Sequence, residues 1–118
     1  MDIIDSIEKI EKLIKENEMV LIYFGDKSWS VVKDLKPKVL AMLEEYPKVK
    51  KIYVDGDASP NTAAHFNIFA YPAILVYVDG KESIREAKHI SLVEIEGRIG
   101  RYYNLLFNER SWNHGLSK

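Results

Sequence analysis

Near the start of the chain apolar residues recur at three- and four-residue steps, at Ile3, Ile7, Ile10 and Ile14 with Leu13 beside the last. Glu8, Lys9, Glu11, Lys12 and Lys15 fill the gaps. This spacing predicts an amphipathic helix, with Asp5 and Glu8 as its capping box and Asn17 as its stop. Met19 to Phe24 then runs apolar without alternation and ends at Gly25-Asp26, the pattern of a short strand buried on both faces. From Ser30 to Tyr46 helical spacing returns through Val31, Val32, Leu35, Val39, Leu40, Leu43 and Tyr46. Pro37 falls inside this helix, where it removes one backbone donor and predicts a kink.

Ile52-Tyr53-Val54 reads as a second strand closed by Asp55-Gly56-Asp57. Ser59-Pro60 supplies an N-cap and a proline at the first helical position of a short helix through Ala63, Ala64 and Phe66. Ala73 to Val78 is a third apolar strand. Asp79-Gly80 is a hairpin signal joining it to a half-exposed edge strand over Lys81–Lys88, with Ser83, Ile84 and Arg85 at its middle. Ser91 and Glu94 form a capping box for a last helix through Leu92, Ile95, Ile99, Tyr102, Tyr103 and Leu106, weakened by Gly97 and Gly100. The pattern stops after Phe107. The expected organisation is one domain over residues 1–107 and a polar tail over 108–118 that carries Trp112. The order α-β-α-β-α-β-β-α describes an α/β fold, a central mixed four-stranded sheet with helices on both faces.

Composition narrows the chemistry. The 118 residues hold 17 basic and 18 acidic side chains, a net charge of -1, and no cysteine. A balanced charge leaves no electrostatic reason to expect nucleic acid. No apolar run approaches the roughly 20 residues that span a bilayer, so neither a membrane segment nor a secretory leader is expected and the predicted location is cytoplasmic. The absence of cysteine removes disulfides, thiolate catalysis and cysteine-based metal sites. His65, His89 and His114 lack metal-ligand spacing, and Asp55-Gly56-Asp57 lacks the ligand set of a calcium loop, so no metal or cofactor is expected.

The ordered landmarks carry a resemblance. Val20–Phe24 before a loop, Pro37 in the next helix, Tyr53-Val54-Asp55, Tyr71-Pro72 before an apolar strand, and Asp79-Gly80 in a hairpin together resemble the thioredoxin family from the first helix to about Phe107. The resemblance implies a cis peptide before Pro72, in a loop packed beside the active site. It also implies two cysteines, two residues apart, at the N-terminus of the second helix. There the helix-terminal N–H groups lower the first thiol's pKa and the second thiol resolves a mixed disulfide. In this chain that stretch is Trp29-Ser30-Val31-Val32. Trp29 stands at the nucleophile position and Val32 at the resolving position. The family's buried acid falls at Tyr23 and a substrate-facing glycine at Lys88; only Lys51, beside the buried acid's place, matches.

Ser28 and Ser30 are possible nucleophiles only if a base contacts them, and Ser30 reads instead as a helix cap. Trp29 and Tyr71 are suited to anchor an interface, since each brings apolar area and a polar edge at little rotamer cost. The resemblance places the Lys88-His89 turn beside the Pro72 loop. The expected function is therefore a redox-inactive thioredoxin-like domain that binds a protein or extended peptide over Trp29, Ser30, Tyr71, Pro72 and His89, as a monomer or weak homodimer. The alternative is a thiol–disulfide oxidoreductase lineage, of the kind that serves cell redox homeostasis, whose cysteines were lost or engineered out of this chain.

Overall fold

A computed structural model describes the backbone of residues 1–26 and 30–108 and the side chains of residues 1–26 and 35–107. Its elements are β1 (Asp2–Ile3), α1 (Ile7–Glu16), β2 (Met19–Gly25), α2 (Ser30–Leu43), β3 (Lys50–Asp55), α3 (Pro60–His65), β4 (Ala73–Val78), β5 (Lys81–Ala87) and α4 (Leu92–Tyr103). A π-helical turn, Asn104–Asn108, continues α4. The sheet order is β1-β3-β2-β4-β5. β1 and β2 each run parallel to β3, whereas β4 runs antiparallel to both β2 and β5.

Central position explains the composition of β2. All seven of its residues are buried, because it is paired on both edges and covered on both faces. Successive side chains alternate between two cores. Met19, Leu21 and Tyr23 face α2 and α4, packing with Val39, Leu43, Ile95 and Ile99. Val20, Ile22 and Phe24 face α1 and α3, packing with Ile10, Ile14, Ala63 and Phe66.

Five strands replace the four expected. Ile3 stands in β1, paired at Ile3↔Tyr53 and 73% exposed, although its four-residue spacing to Ile7 fits a helix; a two-residue strand is too short to show alternation. Ser6, not Asp5, caps α1, its Oγ accepting from Lys9 N at 3.3 Å, while Asp5 offers its carbonyl to Thr62 Oγ1. Asn17 is the C-cap, as its position predicts. Ser59 precedes Pro60 but makes no side-chain cap; Asp55 Oδ1 takes the amides of Asp57 and Ala58 instead, at 2.9 and 3.2 Å. α2 continues through Pro37 and ends at Leu43, three residues earlier than its pattern suggests, because Glu44, Glu45 and Tyr46 bond back by three residues in tighter turns. Asp79 and Gly80 form the two-residue hairpin loop with φ of 50° and 79°, the left-handed pair such loops require. Ser91 caps α4, its Oγ accepting from Glu94 N. α4 itself stops at Tyr103, short of Leu106.

Candidate functional site

Parallel strands β2 and β3 end side by side at Gly25 and Asp55, and Gly56 N donates to Gly25 O at 2.7 Å. The loops that leave this end of the sheet build the site. The β3–α3 turn is tightened by the Asp55 carboxylate. The ring of Tyr71 lies on Gly56 so closely that any β-carbon there would overlap it. The Tyr71–Pro72 peptide is cis. Pro72 O accepts from Lys88 N at 2.7 Å, which ties the loop before β4 to the turn after β5. Lys88 adopts φ 72° in that turn, a backbone region that favours glycine, the residue type the resemblance implies there.

Arg85 fixes the start of the same loop. Its guanidinium donates to the carbonyls of Phe66 (2.8 Å) and Asn67 (3.1 Å) and pairs with the Glu82 carboxylate. The pairing holds Glu82 below the usual carboxylate range. Beyond this clamp Phe69 stands 76% exposed, two residues before Tyr71. Among the described residues, neither the backbone N–H nor the carbonyl of Tyr71 joins a backbone hydrogen bond.

Behind the loops lies a cluster of phenols. Tyr23 is fully buried, stacks on Tyr53 with centroids 5.8 Å apart, and has its pKa pushed up to about 12. Burial is the main cause; the neighbouring Tyr53 and Asp26 add to it. Lys36 Nζ sits 4.0 Å above the Tyr53 ring. Burial, with Asp26, Asp55 and Asp57 nearby, also raises Tyr53 and Tyr71. Thus the position where the resemblance expects an ionisable carboxylate holds a phenol that stays neutral at physiological pH. It can neither accept a thiol proton nor store charge there.

Of the residues singled out from sequence, Tyr71, Pro72 and His89 converge, His89 being exposed in the turn beside Lys88. Ser30 opens α2, but its side chain, those of Val31 and Val32, and all of Ser28 and Trp29 lie outside the described residues, as does the tail from 109 to 118 with Trp112 and His114. His65 lies elsewhere: its Nε2 is 2.9 Å from Glu11 Oε1, joining α3 to α1, and its ring meets Phe66 edge-on. Lys51 pairs with Leu21 in the β2–β3 ladder. Sequence reasoning missed Phe69, Arg85 and Lys36. An aromatic two residues before Tyr71-Pro72 was the available signal for the first; nothing local marks the contacts of the other two with Phe66, Asn67 and Tyr53, which lie 17 or more residues away. No group of three His, Asp or Glu side chains among the described residues could hold a metal ion, and no described helix is long and apolar enough to cross a membrane.

Comparison with known proteins agrees with this geometry. A family model described as Thioredoxin matches residues 5–97. Thioredoxin-like protein YdfQ of Bacillus subtilis (strain 168) is 28% identical over 104 residues, covering 88% of this chain and 93% of that protein. The X-ray structure of Fasciola hepatica thioredoxin superposes with a TM-score of 0.77 at 28% identity, over 86% of this chain and 99% of that one. Mitochondrial thioredoxin 3 from Saccharomyces cerevisiae, in its oxidised form, superposes with a TM-score of 0.76 at 22% identity, over 86% and 94% of the two chains. From the first helix to the middle of α4, the chain belongs to the thioredoxin family, and it does so without a single cysteine.

Proposed function

We propose that this is a redox-inactive thioredoxin-family domain that binds an extended protein segment over Trp29, Ser30, Tyr71, Pro72 and His89. Disulfide exchange needs a thiolate to attack sulfur, and these 118 residues contain none. The observation that carries the reading is the Phe69–Pro72 loop. It presents an exposed aromatic and a Tyr71 backbone that makes no backbone hydrogen bond among the described residues, beside a rigid frame made by Gly56 under the Tyr71 ring, Lys88 on Pro72 O, and Arg85 on Phe66 O. An extended peptide can pair with such backbone in the manner of an added strand while aromatic side chains bury its apolar positions. A chain without cysteine has no need of an oxidising compartment, which supports a cytoplasmic setting for this role.

The test is selection of extended peptides from a displayed random library on the intact chain, with Tyr71→Ala as counter-selection, followed by amide shift mapping. The expected result is perturbation of Ala70, Tyr71, Ala73 and His89. Perturbation confined to α1 and α3, or equal binding to Tyr71→Ala, overturns the location.

A further inference from the structure

The outward face of α4 has no partner within the described chain. Its inward residues, Ile95, Ile99 and Tyr103, are buried, whereas Val93 is 84% and Leu105 56% exposed. Between them lies Gly97. A glycine inside a helix weakens it relative to alanine, and here no contact among the described residues explains it: a β-carbon at Gly97 would meet none of them within 4 Å. Gly100, in contrast, lies against the Tyr46 hydroxyl, 3.2 Å from where its β-carbon would be. Gly97 therefore leaves a shallow notch lined by Val93, Glu94, Arg98 and Arg101. The Arg98 guanidinium is held in place by its bond to Ser83 O at 2.8 Å, a carbonyl beside the register shift in the β4–β5 ladder.

Charge along this face runs from acid to base. Glu94 lies in the first turn and Arg101 in the last, seven residues apart and so on one side of the helix. Among the described residues neither makes an ion pair. Turning a second helix of the same sequence antiparallel, with the crossing at Gly97-Arg98, sets each Glu94 against the other copy's Arg101. It also brings the two notches together where the helices must approach most closely, and lays Leu105 toward the start of the opposite helix. A twofold contact of this kind is self-complementary by construction.

We propose that the outer face of α4 is a homodimerisation surface for a second copy of this chain, joined antiparallel through Gly97 and two reciprocal Glu94–Arg101 pairs. This face is separate from the peptide-binding reading and does not depend on it. One helix face of this length covers roughly 300 Å² per copy, about 600 Å² over the two copies, below the roughly 1,200 Å² total of a stable interface, so association is weak.

Sedimentation equilibrium of the intact chain from about 10 μM to about 1 mM, at low and high salt, tests it. The wild type should show a mass that rises with concentration, with association falling at least about fivefold at high salt. Glu94→Arg and Arg101→Glu should each remain monomeric, an equimolar mixture of the two should associate, and the double exchange in one chain should recover association. A wild type that stays monomeric throughout the range overturns the proposal. So does association that survives either single reversal, or failure of the mixture to associate while circular dichroism shows both variants folded.

Discussion

The ring of Tyr71 is seated on the backbone of Gly56, so the loop before β4 and the turn after β3 are positioned by one contact that tolerates no side chain. Fifteen positions apart in sequence, the two residues join the loops that frame the candidate site. Gly56→Ala should therefore act through Tyr71, costing about 1–3 kcal/mol as an overpacked site. In denaturant unfolding, Tyr71→Ala in the Gly56→Ala background should remove most of that cost. Additive effects would show that the contact does not fix the loop.

Lys88 holds φ 72° while its N–H donates to Pro72 O. Relief of left-handed strain, about 1–2 kcal/mol, exceeds the chain entropy a glycine adds, about 0.5–1 kcal/mol. Lys88→Gly should raise stability by about 0.5 kcal/mol. Lys88→Val, with a β-branched side chain in the same conformation, should lower it by about 1–2 kcal/mol. Paired thermal melts would check both signs.

Tyr23 gives the fold a base-sensitive centre. Its folded pKa of about 12 lies above that of an exposed phenol, 10.0. Below pH 10 both states keep the proton and the burial of neutral Tyr23 is at full strength. Between pH 10 and 12 only the unfolded state ionises, so stability falls with a slope approaching about 1.4 kcal/mol per pH unit from this group. Tyr46, Tyr53, Tyr71 and Tyr77 are shifted the same way and steepen the fall. Unfolding free energies at pH 9, 10, 11 and 12 should decline, and Tyr23→Phe should show a shallower decline even where its absolute stability differs.

The double replacement Trp29→Cys with Val32→Cys should yield a protein that folds and reduces insulin disulfides only slowly. Neutral Tyr23 cannot do the proton transfer the family assigns to a carboxylate, a contribution of roughly 10²-fold or more. Turnover equal to an ordinary thioredoxin would show that the phenol is no obstacle.

Local pattern was enough where a segment's environment follows from its own residues. The unbroken apolar run of β2 announced a strand covered on both sides, Asp79-Gly80 announced its hairpin, and Ser91 with Glu94 announced the start of α4. Helix α1 was legible in its body, yet its first residues were not, because Ile3 keeps helical spacing while pairing with Tyr53. The family landmarks located Tyr71-Pro72, and the missing cysteines separated this chain from thiol chemistry. Arg85 was invisible as a loop clamp, since it acts on carbonyls of Phe66 and Asn67, and backbone carbonyls carry no residue identity.

Sequence by itself determined the fold class, the family and the impossibility of thiol attack, because periodicity, landmark spacing and composition are properties of the chain taken in order. Tertiary structure alone decided that Tyr23 is a neutral, stacked phenol, that Gly56 is a seat for Tyr71, and that Gly97 faces outward with none of the described residues against it. Those facts depend on which side chains meet across the sheet, and two residues with the same local pattern, such as Gly97 and Gly100, receive opposite surroundings only once the helix is docked.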